Sequence, residues 1–546
     1  MNSFRTLLAI VLSFLVLLIY QYYFVVIPPP PPEQTAQPAD TPAETVAPPP
    51  AAAPASASAP SVVAVDSTAR KITVDTPLYT VIFNEQGGGI QDFVLKRYRN
   101  TLALDSGPMR LVNGGNPSML AAQFALDNGS GQDLPLFHAE RTAVELKEGE
   151  QTATLNMVAT LAEGLRIIRT LTFHADSYLI DMQYTVANDS DAARQVSPAL
   201  VMVGEPFVHT SQSSKYLFSG PASYVNGDLV EVKSKKLQAG PVVQQGRISW
   251  TGYVDNYFMT SVALAPDQNH TVTLYGMDDR VRAVVSEGLR TLGPGASSTF
   301  AYALYLGPKK LQVLEGAGYD LAKSVDFGWF DILAKPMLWL LNFFYSFIGN
   351  YGVAIILLTI LIKLALWPVT QKGLSSMKNL QKLQPKIAKL REKYKDDPAT
   401  MNQEMMALYK VYKVNPMGGC LPLLIQIPFF FALYRVLMAA IELRHAPFAL
   451  WINDLSAPDR LWIGFDIPYL HGLPVLTLLM GVTMYFQQKM TPTVGDPMQA
   501  RMMQFLPLLF IVMFINFASG LVLYWFVNNL LSILQQYLIN KKHART

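Results

Sequence analysis

A single cysteine, Cys420, stands among 546 residues, which excludes an intrachain disulfide and any site built from several cysteine ligands. A large exported region in this chain has to hold together through its own core. Charge is scarce too: Asp, Glu, Lys and Arg make up 15% of the chain against 51% hydrophobic residues, a balance too apolar for a soluble protein. The formal net charge of +3 is close to neutral and says nothing of partners until the positions of the charges are read. There is no HExxH, no P-loop, no GxSxG and no dinucleotide fingerprint. His138, His174, His209 and His270 stand at no ligand or catalytic spacing and read as surface or strand residues. No metal, nucleotide or other cofactor is expected. Nor does any internal repeat divide the chain into the matched halves of a secondary transporter.

What the chain has instead is long apolar runs, strand-like alternation and clustered lysines. Phe4–Ile27 is apolar apart from Arg5 and Gln21, exceeds the core of a cleavable signal, and is followed by no small-residue cleavage site. Residues 1–27 are therefore expected to form a retained transmembrane anchor. Residues 28–60, almost entirely Pro, Ala, Ser, Thr and acids, cannot bury enough apolar surface to offset their ordering entropy and are expected to be a disordered tether. From 61 to 325 the texture changes. Tyr178, Ile180, Met182, Tyr184 and Val186 fall on one face and Asp181, Gln183 and Thr185 on the other, the period of a half-buried strand. Phe300, Tyr302, Leu304 and Leu306 repeat it, and Gly87-Gly88-Gly89 breaks two earlier runs. The expected object is a mostly-β outer domain of two packed sheets.

Residues 326–347 are rich in Trp and Phe, interrupted by Pro336, and are expected to lie along the membrane interface as an amphipathic helix. The next span, 348–369, contains Tyr351–Val369, an apolar run broken by Lys363. A cation at the centre of a spanning helix costs roughly 2.5 to 3.5 kcal/mol on insertion scales, which marks Lys363 as a functional candidate. The competing reading ends the helix at Pro368, close enough for Lys363 to snorkel to the interface.

Residues 370–417 carry ten Lys or Arg against four acids, and a short loop so basic stays in the cytoplasm. Leu380, Leu383, Ile387, Leu390 and Tyr394, then Met401, Met405, Leu408 and Tyr412, recur at intervals of three and four, as in the two arms of a helical hairpin. Asp397-Pro398 reads as the cap of the second arm; Pro385 kinks the first arm or marks its start. Four further spans are expected at 418–441, 472–488, 502–517 and 520–539, with an outer loop at 442–471, an inner loop at 489–501 and a basic tail at 540–546. Flanking lysines and arginines agree with six spans, both termini cytoplasmic and the β domain outside. Gln426, Asn516, Ser519, Asn528 and Asn529 lie at membrane depth. Together they point to a wet groove; singly, each is explained by an interhelical hydrogen bond.

At Asn415–Tyr434 (NPMGGCLPLLIQIPFFFALY), Ala446–Ser456 (APFALWINDLS), Met480–Met490 (MGVTMYFQQKM) and Ser519–Leu530 (SGLVLYWFVNNL) the chain closely resembles the bacterial YidC membrane protein insertases, over essentially all of Leu357–Ile539. The order of anchor, tether, outer domain and five-helix core is that of the Gram-negative form. The resemblance implies a polytopic α-helical protein of the bacterial inner membrane with six transmembrane helices and a periplasmic β-supersandwich. It implies an insertase, not an enzyme, that receives nascent membrane proteins alone or beside the Sec translocon, in a hydrophilic groove open to cytosol and lipid. The ribosome and the signal recognition pathway are implied as callers on the basic hairpin and tail, membrane lipid as surroundings, and no specific nucleic acid. The family's groove carries a positive residue in the first core helix, usually arginine. Here Lys363 occupies that position, keeping the charge and losing the planar fork. Thr359, Gln426, Tyr524 and Trp525 align with other groove positions. A membrane-tethered carbohydrate-active enzyme built on the β domain would leave five polar spans unexplained.

Overall fold

Alternation of apolar and polar side chains organises the first half of the protein. The computed structural model describes residues 69–544 apart from 104, 114–119, 128–134, 148, 208–217, 278–279, 395–396, 413–420 and 491–496, so the expected anchor (1–27) and tether (28–60) lie outside the described residues. The strand Leu179–Asn188 buries Ile180, Met182, Tyr184 and Val186. It pairs antiparallel with Leu165–His174 on one side and Ser297–Pro308 on the other, in the middle of a nine-stranded sheet. The expectation of two packed sheets needs correction: two five-stranded sheets and a two-stranded ribbon accompany the large one. Phe83 of one five-stranded sheet meets Phe173 edge-on at 6.0 Å, and Phe124 of the other stacks on Tyr184 at 4.0 Å. A nine-stranded sheet accumulates too much twist to be covered by one partner. Inward alternation also carries Arg169 into this core, where it is 0% exposed and lies 5.2 and 5.3 Å from the ring centroids of Phe83 and Tyr184.

The period then changes to that of helices. The main ones are α1 (Asp331–Ile348), α2 (Tyr351–Lys382), α3 (Gln384–Lys393), α4 (Pro398–Val411), α5 (Leu421–Ala439), α6 (Val475–Met490), α7 (Pro497–Phe514) and α8 (Ser519–Ala544). On α1, Ala334, Met337, Leu338 and Leu341 are buried while Ile332, Trp339, Phe343 and Phe347 are exposed, an apolar outer face suited to a lipid boundary. Pro336 does not interrupt α1, which passes through it.

Nor does Pro368 end α2, which runs on to Lys382. Lys363 therefore stands roughly 18 Å from one end of its helix and 28 Å from the other, at 1.5 Å per residue. Pro368 leaves the Leu364 carbonyl without its helical donor; just past it, Thr370 Oγ1 donates to the carbonyls of Leu366 (3.1 Å) and Trp367 (3.0 Å). The first arm of the basic hairpin is thus partly the continuation of α2. The break falls at Leu383, and Pro385 occupies the first turn of α3. Asp397 caps α4 by accepting from the backbone N–H of Ala399 (3.2 Å) and Thr400 (3.1 Å). Among the described residues one helix, α2, is long and apolar enough to cross a membrane; Ile425–Ala439 and Gln504–Phe514 are shorter apolar helices.

The β domain docks on the helices through the turn after α5. Arg444 donates to the carbonyls of Arg99 (2.8 Å) and Asn100 (2.9 Å) and lies 5.3 Å from the Phe258 ring centroid. Asn256 Nδ2 donates to the Met438 carbonyl at 2.9 Å. Arg444→Ala is expected to speed amide hydrogen exchange at residues 98–100 and 256–258 while leaving the β-domain core protected. Exchange unchanged at those residues would mean that the contact does not hold the domain.

Candidate functional site

α8 is an apolar helix interrupted by Asn528, Asn529, Ser532, Gln535, Gln536 and Asn540, which 3.6 residues per turn sorts into two stripes. One faces α2. Lys363 Nζ donates to Ser532 Oγ (2.7 Å) and Asn528 Oδ1 (3.3 Å), Gln535 Nε2 to Thr370 Oγ1 (2.8 Å), and Lys378 Nζ to Asn540 Oδ1 (3.1 Å). Residue numbers rise together along this seam, so α2 and α8 run parallel. The other stripe faces α6: Asn529 Nδ2 donates to Thr483 Oγ1 and the Met480 carbonyl, both at 3.4 Å, and Gln536 Nε2 to the Met490 carbonyl at 2.9 Å.

Three helices meet at Asn528. Its Oδ1 accepts from Lys363 Nζ and also from Gln426 Nε2 of α5 (3.1 Å), which uses both lone pairs of the amide oxygen. Gln426 hydrogen-bonds Tyr524 as well. Lys363 is 8% exposed, and among the described residues its hydrogen-bond partners are neutral, with no carboxylate paired to it. Of the residues singled out in the sequence, Lys363, Gln426 and Tyr524 converge here. Thr359 does not: its hydroxyl donates to the Ile355 carbonyl of its own helix at 2.6 Å. Trp525 belongs to an aromatic cluster, 4.7 Å from Phe430, 4.9 Å from Phe514 and 5.2 Å from Phe510. Ser532, which makes the shorter contact to Lys363, is the residue that sequence reasoning missed; its signal was the spacing of 528, 532 and 535 on one helical face.

The outer ends of the helices are stitched together by the loop after α5. Asn350 caps α2 through the Val353 N–H (3.1 Å) and donates to the Phe448 carbonyl (2.9 Å). Asp459 caps α6 through the N–H groups of Leu476 and Thr477 and accepts from Trp451 Nε1 (2.6 Å). The Ser519 N–H, at the start of α8, donates to the Ala457 carbonyl at 2.7 Å. In the β domain, His174 Nε2 lies 2.8 Å from Asp181 Oδ2 on the neighbouring strand, and His270 Nε2 lies 3.0 Å from the Ala265 carbonyl. His209 is outside the described residues.

Residues 71–340 match the family model of the YidC periplasmic domain, and residues 343–546 that of the 60Kd inner membrane protein. The membrane protein insertase YidC of Nitratidesulfovibrio vulgaris is 39% identical over 564 residues, spanning 99% of this chain and 100% of its own. The chain belongs to the YidC membrane protein insertase family. The Syntrophobacter fumaroxidans insertase is 41% identical over 486 residues, 88% of this chain and 87% of its own. A crystal structure of an active YidC insertase with its first transmembrane domain resolved aligns over 87% of this chain and 94% of its own, at 20% identity and a TM-score of 0.37. Family membership makes this an inner membrane protein whose β domain is periplasmic.

Asn528→Leu removes the acceptor shared by Lys363 and Gln426 and leaves two buried donors short of a partner. The expected loss is about 1 to 3 kcal/mol for each unsatisfied group, read as a lower thermal unfolding midpoint in detergent, with Asn528→Asp losing less because it keeps an acceptor beside the ammonium. Equal midpoints for all three proteins would contradict the role of Asn528 as a shared acceptor.

Proposed function

We propose that this protein is a membrane protein insertase whose receiving site is the polar seam of α2, α5 and α8, with Lys363 as its electrostatic attractor. The observation that carries this reading is a buried ammonium held by neutral acceptors in the middle of a long apolar helix. A built-in carboxylate would cancel its field; Asn528 and Ser532 accept two of its three protons and leave the charge uncompensated. A carboxylate in the hydrophilic tail of an incoming protein, at ~4 Å and an effective dielectric of ~20, gains about 4 kcal/mol before desolvation is subtracted. It would replace a hydrogen bond from the ammonium to a neutral acceptor with one to an ionised acceptor. Such a mechanism needs charge rather than a bidentate fork, so lysine serves where the family usually has arginine.

The stitched outer loop supports entry from the inner side, because the ends of α2, α6 and α8 that carry it are tied by backbone and capping bonds. In this reading the chain has six spans and cytoplasmic termini, the tail of the client is released outward, and its apolar segment slides into lipid, driven by its own hydrophobicity. The lysine-rich hairpin of α3 and α4 offers a landing surface for the ribosome or the signal recognition pathway, and the Sec translocon is the neighbour that family membership favours. No covalent step is involved.

The test is a charge series at Lys363, read as insertion of a single-span client with an acidic outer tail and of the same client with a neutral tail. Lys363→Arg is expected to insert both. Lys363→Ala is expected to slow the acidic-tailed client about tenfold or more, as loss of ~1.4 kcal/mol or more of attraction requires, and Lys363→Glu to block it while sparing the neutral one. Equal insertion by all three variants would remove Lys363 from the mechanism.

A further inference from the structure

A cavity of about 450 Å³ lies between α2, α8 and the outer loop segment Phe448–Ile452. Ile356 and Ile360 of α2 and Leu523, Phe526 and Leu530 of α8 line it, and Leu450 stands at its rim, 87% exposed. Its lining is apolar; the indole N–H of Trp451 is turned to Asp459 (2.6 Å). Lys363 does not line it. Ile360 and Ile356 sit about one and two turns outward, about 4.5 and 10.5 Å along the axis, and on α8 the residues Phe526 and Leu530 project roughly opposite to Asn528 and Ser532.

We propose that this cavity holds one acyl chain of a membrane lipid, at a site separate from the polar seam. Size decides against a client helix: a span about 10 Å wide and 30 Å long fills roughly 2,400 Å³, several times the 450 Å³ available. Water has no polar partners there. An apolar cavity of ~150 Å³ stays dry and takes up benzene, so three times that space accommodates roughly eighteen carbon atoms, one chain of a phospholipid. The supply is close at hand, since Leu361, Leu364 and Leu534 on the same two helices are exposed apolar side chains that face hydrocarbon when α2 and α8 cross the bilayer. Left empty, the cavity would deprive its lining of dispersion contacts on one side; a chain drawn from the bilayer restores them.

The inference rests on α2 and α8 spanning the membrane, and the experiment separates the two. The full-length protein is reconstituted in phosphatidylethanolamine and phosphatidylglycerol vesicles containing a phospholipid with a diazirine on one acyl chain, illuminated, and mapped by peptide mass spectrometry. Labelling of residues 356–360 and 523–531 is expected at several-fold the yield of the exposed segment Leu508–Val512 of α7. Ala449→Trp, in the exposed loop, and separately Val527→Phe, in α8, fill the space and are expected to bring that labelling down to the α7 level, with the thermal transition retained as the check on folding. Cavity labelling no higher than at Leu508–Val512, or unaltered by both substitutions, would overturn the lipid site and leave the spans standing. Absence of label at Leu361–Leu364 and Leu508–Val512 alike would overturn spans and site together. Cross-linking of a client span to the cavity residues in place of lipid would also refute the assignment.

Discussion

Holding an ammonium among apolar helices, with no counter-ion among the described residues, is the constraint that arranges the membrane half of this protein. The charged group has to keep its protons hydrogen-bonded, because an unsatisfied buried cation is far costlier than a satisfied one. Ser532 and Asn528 supply fixed acceptors on α8, so the position of the charge sets the register of α8 against α2. The same oxygen of Asn528 takes the Gln426 amide, which ties α5 into that register. Further inward, Thr370 with Gln535 and Lys378 with Asn540 continue the seam. A chain of polar pairs running inward from Lys363 along two parallel helices gives the insertase a hydrophilic line through the inner part of an apolar body, with the charge at its outer end.

The two sides of the bundle differ in how they are closed. On the outer side the helix starts are capped by loop residues, and the loop is held by backbone bonds to α8. Arg444 in that region also grips the β domain through two carbonyls and the Phe258 ring. On the inner side α2 continues as a lysine-rich extension into the hairpin. In the proposed mechanism, polar seam, sealed outer end and basic inner extension together guide a hydrophilic tail with negative charge from inside toward Lys363. The apolar cavity is distinct from this path in chemistry as well as position, which is why a lipid chain rather than a client suits it.

Much of this was legible before any coordinates. Period-two alternation located the strand around Tyr184, and the Asp397-Pro398 pair located the cap of α4. The quoted motifs pointed to the insertase family, and the interruption of an apolar run picked out Lys363. The fate of Pro368 was not legible, because whether a proline ends a helix depends on what packs against the segments on either side of it. Here α8 holds α2 before the proline through Lys363 and Ser532 and after it through Thr370 and Gln535, the latter pair 165 residues apart in sequence. Likewise Thr359 carries a hydroxyl of the right kind in the right turn, yet it bonds its own backbone, a choice made by local geometry.

The sequence by itself determined the division into a β domain and an apolar helical region, and the presence of one cation deep in that region, since composition and periodicity are properties of the chain alone. Tertiary structure decided what surrounds the cation. Which of several Asn, Gln and Ser side chains shares its protons depends on the rotation and offset of α8 against α2 and α5. Those are fixed by packing between segments far apart in the chain and leave no imprint on local spacing.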